Sequence, residues 1–247
     1  LTTSTAPGRR GERHSPHASE DRLHPKLAQH SYLQLRALRA ALAKEAARCG
    51  PGPVLDLGCG SKPYEPLFTN PYLGLDVAMV HGRPDCLGVA EHAPIRSGSI
   101  GTVLSTQYLE HAEDPDAVLS EARRMLRPGG RLLLSTHGVW VHHPDPHDYW
   151  RWTEEGLRTL FERHGFAVEA VHRQGELYTA SLLLATYPLA AVQRSGRRVV
   201  AALASALILV CNAVGIALDA TISRVLPRHY ASASYLLVGR APVGTSA

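Results

Sequence analysis

Residues 137–152 read H-G-V-W-V-H-H-P-D-P-H-D-Y-W-R-W, a run with four histidines, two aspartates, three tryptophans and one tyrosine. Imidazoles and carboxylates are the side chains that exchange protons near neutral pH, and aromatic rings form walls for an organic substrate. We take His143, His147, Asp148 and Tyr149 as candidate catalytic contacts to an acceptor. His111, in the L-E-H of residues 109–111, is a fifth. The bland alternatives stay open. Tyr149, Trp150 and Trp152 serve equally as core, His111 as a residue packing or capping the next helix, and Arg151 either binds an acidic group or pairs with a carboxylate. The spacing H-H-x-x-x-H matches no zinc signature and no cysteine lies near it, so no metal site is expected.

A second stretch carries binding chemistry. Val54–Gly60 reads V-L-D-L-G-C-G, a short apolar strand broken by glycines. Gly58 and Gly60 let the backbone turn tightly and leave no Cβ in the way of a ligand. Asp56 sits near the end of that strand, where open α/β sheets place ligands. The spacing D-x-G-x-G differs from both G-x-G-x-x-G and the P-loop, which argues against a nicotinamide oxidoreductase and a nucleotide triphosphatase. Tyr72–Val77 reads Y-L-G-L-D-V, a strand ending in Asp76, some 20 residues beyond Asp56. An acidic group at that distance is placed to accept hydrogen bonds from ribose hydroxyls.

These residues need a scaffold. A helical pattern covers Leu23–Cys49 and stops at Gly50-Pro51-Gly52-Pro53. Further strands are predicted at Cys86–Val89, Ile100–Thr106, Arg131–Thr136, Phe166–His172 and Tyr235–Gly239. Asp114-Pro115 opens a helix that ends at Arg127-Pro128-Gly129-Gly130, and Thr153 caps another over Glu154–His164. Strands alternating with helices imply a doubly wound, mostly parallel α/β sheet of seven strands, Rossmann-like, with both chemistry-bearing stretches at its ligand-bearing end.

The order V-L-D-L-G-C-G, Y-L-G-L-D, V-L-S-T-Q-Y-L-E-H and L-R-P-G-G-R-L-L-L-S-T resembles the class I S-adenosylmethionine-dependent methyltransferases of the broad type 11 group. The resemblance covers Pro53–His172 and the final strand. It implies S-adenosylmethionine as cofactor. Asp56, Leu57, Gly58, Cys59 and Gly60 would lie at the methionine part, Asp76 and Val77 at the ribose, and Ala90, Thr106, Gln107 and Tyr108 along the remaining wall. It also implies a last strand antiparallel to the others. Related uncharacterised methyltransferases, many from glycan or natural-product gene clusters, carry a similar D-P-x-D-Y-W/F-R-W/F-T run. Two positions depart from the pattern. Val89 stands where an acidic residue commonly meets the adenine amino group, a bond worth about 1.5–3 kcal/mol. Gly101 stands where an aspartate is usual. These departures motivate a rival reading, a catalytically silent methyltransferase-like partner protein.

Leu177–Val192 and Val199–Leu218 are uncharged apolar stretches on either side of Gln193-Arg194-Ser195-Gly196-Arg197-Arg198. They predict an apolar helical hairpin inserted over residues 176–228, before the last strand. Both ends return to one sheet, so a true span would carry three arginines across a bilayer, against the positive-inside tendency. Contact with a membrane surface, a lid over the substrate and a homodimer interface are preferred to such a span. Residues 1–21 lack an apolar core and read as a disordered tail rather than a signal peptide. Four dispersed cysteines imply free thiols in a reducing compartment. The net charge of +4 comes without a basic aromatic stripe, so nucleic acid is not an expected partner. The sequence thus reads as a cytoplasmic methyltransferase, peripheral on the inner membrane face if the hairpin meets lipid. It would act on a small-molecule or glycan acceptor, with O-methylation favoured and a lipid-linked glycan as the alternative substrate.

Overall fold

The computed structural model describes residues 22–79, 84–144, 147–221 and 231–243; the expected tail over residues 1–21 lies outside them. Seven strands form one sheet: β1 (Val54–Leu57), β2 (Tyr72–Asp76), β3 (Cys86–Leu87), β4 (Ile100–Thr106), β5 (Leu126–His137), β6 (Ala167–Glu176) and β7 (Ser232–Arg240). The order is β3-β2-β1-β4-β5-β7-β6. β7 pairs antiparallel with both β5 and β6, and the other pairings are parallel. The expected α/β class, strand number and final antiparallel strand are all present.

Helices cover both faces. α1 (Tyr32–Ala46) packs Leu38, Ala41 and Leu42 against Val54, Leu104, Leu133, Leu236 and Val238. On the other face α2 (Pro115–Met125) and α3 (Glu154–Arg163) pack Val118, Leu119, Met125, Leu157 and Phe161 against Leu55, Leu57, Val103, Leu132, Leu134 and Leu237. Neighbouring residues of β1 and β5 alternate between the two clusters because strand side chains alternate faces. Every residue of β1 and β4 is buried, as strands covered on both sides must be.

Local signals explain most boundaries. Asp114 accepts from the Ala117 N–H at 3.0 Å and Thr153 from the Gly156 N–H at 3.1 Å, so both predicted caps form. Several boundaries differ from the sequence reading, β3 among them, which ends at Leu87 rather than Val89. α1 starts at Tyr32, since residues 24–31 form turns that receive the hairpin. β5 begins directly at Leu126, because Arg127-Pro128-Gly129-Gly130 forms an irregular strand entry with a register shift beside β4. β6 and β7 run longer than predicted, pairing with each other from Ala167↔Arg240 to Glu176↔Ser232.

α4 (Leu177–Gln193) and α5 (Arg198–Thr221) form the predicted hairpin; residues 222–228 of its expected range lie outside the described residues. It is anchored by polar bonds. Asn212 Nδ2 donates to the carbonyls of Leu27 (2.7 Å) and Gln29 (2.9 Å), and Gln193 Nε2 to Ala28 O (2.9 Å). Beneath α1, the buried Arg131 guanidinium meets the Glu45 carboxylate at 2.6 Å and tethers the helix to β5.

Candidate active site

β1 lies between β2 and β4, so the strand order reverses there, and the loops after β1 and β4 bound the crevice. The β1 loop is shaped by glycine. Gly58 has φ +68°, and a Cβ there would lie 2.6 Å from Tyr108 Cδ2, so the two loops touch only because the side chain is missing. The Gly60 N–H donates to Asp76 Oδ2 at 2.9 Å. Asp76 therefore closes the glycine turn with one oxygen, while Oδ1 has no partner among the described residues. Asp56 is buried on β1. Its Oδ2 accepts from the Tyr72 hydroxyl at 2.7 Å, whereas Oδ1 has no hydrogen bond among the described residues. Burial pushes its carboxyl up to about 7, against the opposing pull of the Tyr72 bond. Burial likewise raises the Cys59 thiol to about 12, so this cysteine is an inert neighbour.

Across the crevice, Gln107 adopts φ +54°, a left-handed conformation that costs a non-glycine residue free energy and is typical of functional loops. Its amide donates to Ser135 Oγ at 2.5 Å, which ties the end of β4 to β5. Thr106 is buried, as is Ala90, and Val77 is exposed. Val89 is exposed and leads into a short 3-10 turn over Ala90–His92. The carboxylate of this region is Glu91, within 3.2 Å of the Tyr108 hydroxyl, two residues beyond the position where the family pattern expects one. Sequence reasoning missed Glu91, since nothing in the spacing shows which residue of a turn faces the crevice. Gly101 lies at the opposite end of β4, and a Cβ there would sit 2.5 Å from the Pro51 carbonyl oxygen. Its loss of a side chain follows from backbone packing, remote from the ligand end.

These groups fit S-adenosylmethionine. Its ammonium suits the unpaired buried Asp56 oxygen, and its ribose diol suits the remaining Asp76 oxygen. Asp56, Leu57, Gly58, Cys59, Gly60, Asp76, Val77, Ala90 and Thr106–Tyr108 all belong to segments at this edge.

The histidine-rich segment folds over the ends of β4 and β5. The His111 ring lies 5.0 Å from the His143 ring, which lies 5.0 Å from that of His137; His137 is stacked on Trp140 at 4.5 Å. His111 donates from Nδ1 to the His147 carbonyl at 2.5 Å, so Nε2 is the nitrogen that the neutral ring would offer as acceptor. Burial lowers the proton affinity of His143 and takes His137 well below the usual histidine range, so both rings are neutral at pH 7.

The five candidate catalytic residues are not equivalent in space. His111 and His143 adjoin. His147 contributes its backbone carbonyl, and its ring packs on exposed Tyr149. Asp148 is a brace: its carboxylate takes both Arg151 nitrogens at 2.6 Å and the His143 N–H at 2.9 Å. The Arg151 guanidinium holds its carboxyl far below the usual range, which makes it a poor base. Arg151 is thereby the partner of a carboxylate. Trp152 packs on the core, and Trp150 Nε1 donates to Ala112 O at 2.8 Å. Sequence reasoning also passed over Glu110, fully buried, whose Oε2 accepts from Thr136 Oγ1 at 2.8 Å and whose Oε1 lies 3.3 Å from His137 Nε2.

A glycine turn with a buried carboxylate at the switch point of a seven-stranded sheet with an antiparallel β7 defines a class I S-adenosylmethionine-dependent methyltransferase. Residues 28–171, more than half of the chain, match the family described as "Methyltransferase domain", and the chain belongs to that family. It is 29% identical to a probable S-adenosylmethionine-dependent methyltransferase of Mycolicibacterium smegmatis over 60% of this chain and 65% of that protein. It is 30% identical to the ubiquinone biosynthesis O-methyltransferase of Xanthomonas oryzae pv. oryzae over 34% of this chain and 42% of the relative. An uncharacterised 37.1 kDa protein in a Streptomyces fradiae transposon is 35% identical over 46% of this chain and 36% of its own length. The chain thus spans between about a third and two-thirds of these relatives. In fold it is similar to the [4+2]-cyclase SpnF (TM-score 0.58, 18% identity, 85% of this chain and 82% of that one). It is also similar to a phosphoethanolamine N-methyltransferase of Haemonchus contortus in complex with S-adenosyl-L-methionine (TM-score 0.53, 15% identity, 91% and 60%).

Proposed function

We propose that this methyltransferase moves the methyl group of S-adenosylmethionine to a hydroxyl oxygen of a small-molecule or glycan acceptor. The observation that carries the reading is the pair His111 and His143, neighbours at the ligand-bearing edge with an acceptor nitrogen on His111 and a neutral His143 ring. A hydroxyl is a weak nucleophile until a base takes its proton, and imidazole is the side chain suited to that at neutral pH. Methyl transfer also needs donor and acceptor held in line, a task for the rigid loops at β4 and β5. O-methyltransferase names among the relatives agree with this reading. The test is a panel of sugar and phenolic acceptors with S-adenosylmethionine, the product analysed by mass spectrometry and fragmentation. A product methylated on oxygen supports the reading, and one methylated on nitrogen or carbon overturns it. Tight cofactor binding with no transfer to any acceptor points to the silent-partner reading.

The hairpin favours an acceptor presented at the inner membrane face, with the rest of the protein in the cytoplasm. α5 carries an outward stripe of Val200, Leu203, Leu207, Val210 and Val214, all exposed, while Ala204, Ile208 and Asn212 face inward. Arg194, Arg197 and Arg198 at its start are exposed and match an anionic lipid surface. Inward, α4 reaches the acceptor cluster through Tyr187, His30 and Trp140, with ring centroids 5.5 and 6.4 Å apart. Sedimentation with anionic vesicles, lost in Leu203→Ser/Leu207→Ser, supports this placement. Vesicle indifference together with a concentration-dependent dimer assigns the stripe to a second copy of the chain.

A further inference from the structure

Among the described residues, Glu110, His137 and His143 bring one ligand atom each within 4.8 Å of the others. Glu110 comes from the turn after β4, His137 from the end of β5 and His143 from the loop that follows β5, so no local spacing announces the group. We propose that these three residues bind a divalent transition-metal ion of the zinc class. Two imidazoles and one carboxylate form a ligand set for such ions, one that leaves positions open for water or a substrate oxygen.

Three observations support the assignment. Glu110 is fully buried, yet its Oε1 has no hydrogen bond among the described residues. A buried carboxylate oxygen without a donor is costly, and a cation relieves it. His137 Nε2 lies 3.3 Å from that oxygen, close enough for contact and misaligned for a hydrogen bond. Bonds of about 2.0–2.1 Å put two ligands of a tetrahedral ion roughly 3.3 Å apart, so this pair already has the required separation. Finally, each ligand is held from behind. Thr136 donates to Glu110 Oε2 at 2.8 Å, Ser234 Oγ lies 3.3 Å from His137 Nδ1, and Val141 O lies 3.1 Å from His143 Nδ1. Such outer contacts orient metal-ligating side chains and fix which histidine nitrogen is free. The stacking of His137 on Trp140 locks its ring further.

A second grouping, His111, His143 and Asp148, is equally close. It does not serve, because Arg151 already neutralises Asp148 through two 2.6 Å bonds and would repel a cation. His111 instead flanks the opening beside His143. The open positions of the ion would take the acceptor hydroxyl and favour its deprotonated form, a role that rests on the O-methylation reading; the binding itself does not.

The test uses full-length protein stripped with a chelator and titrated with cobalt(II), followed by visible absorption. One saturable equivalent is expected, weakened at least tenfold in Glu110→Gln and His143→Ala and unchanged in His142→Ala, whose ring is exposed. His143→Ala decides if Glu110→Gln fails to fold. S-adenosylhomocysteine binding is measured on the same samples. No saturable cobalt spectrum in protein that binds S-adenosylhomocysteine overturns the metal site and leaves the methyltransferase intact. So does a spectrum indifferent to both substitutions.

Discussion

Replacing Asp76 with alanine separates its two tasks. In the folded chain Oδ2 accepts from the Gly60 N–H at 2.9 Å, and Oδ1 is available for the ribose. A hydrogen bond to a charged group contributes about 1.5–3 kcal/mol. Losing the ribose contact alone should therefore weaken S-adenosylhomocysteine binding about ten- to 150-fold. Loss of the Gly60 bond adds to this by freeing the turn that Gly58 needs for its contact with Tyr108. Asp76→Asn keeps an oxygen for one task, so it should fall between wild type and alanine. Isothermal calorimetry reads the affinity and thermal melting of the apo protein reads the fold. A Kd for Asp76→Ala within threefold of wild type would refute the assignment of Asp76 to the cofactor. So would an affinity loss fully matched by unfolding.

Other expectations follow from the same geometry. Gly58→Ala forces a Cβ against Tyr108 at 2.6 Å in a left-handed conformation that alone costs about 1–2 kcal/mol; it should lower the melting temperature and cofactor affinity together, and normal affinity would contradict the close packing of the two loops. Gly101→Asp meets the Pro51 carbonyl at 2.5 Å and should destabilise by roughly 1–3 kcal/mol in urea while leaving cofactor affinity of the folded fraction unchanged. Asp56, raised to about 7, holds a proton that the unfolded chain releases near pH 4, so apo stability should fall as pH rises from about 4 through 7. A bound cofactor ammonium reverses that preference, so S-adenosylhomocysteine binding near pH 6 should release up to about one proton, read by calorimetry in buffers of different ionisation enthalpy and abolished in Asp56→Asn. Arg131→Met takes the 2.6 Å bond from the buried Glu45 carboxylate, which keeps His172 Nε2 at 2.9 Å and Arg48 at 3.4 Å, and should cost about 1.5–3 kcal/mol of unfolding free energy in urea.

What the sequence determined by itself was local and periodic. Alternating strand and helix patterns, the caps at Asp114 and Thr153, and the glycine turn after β1 follow from steric and hydrogen-bond rules acting within a few residues, and they are enough to define an α/β sheet with a ligand edge. The spacing from Asp56 to Asp76 is legible for the same reason, since each lies near the carboxyl end of one of two neighbouring parallel strands. Tertiary structure decided what those local rules cannot reach. Asp148 reads as a candidate catalytic contact in sequence, but the fold gives it to Arg151. Gly101 reads as a weakened cofactor site, but it lies at the far end of β4, where the Pro51 carbonyl excludes a side chain. Glu110 and His137 are 27 positions apart and meet because β4 and β5 are adjacent and parallel. Glu91 faces Tyr108 because a 3-10 turn carries it there. Charge pairing and burial depend on which chain segments are neighbours in space, and that is set by the packed sheet rather than by any residue's place in the sequence.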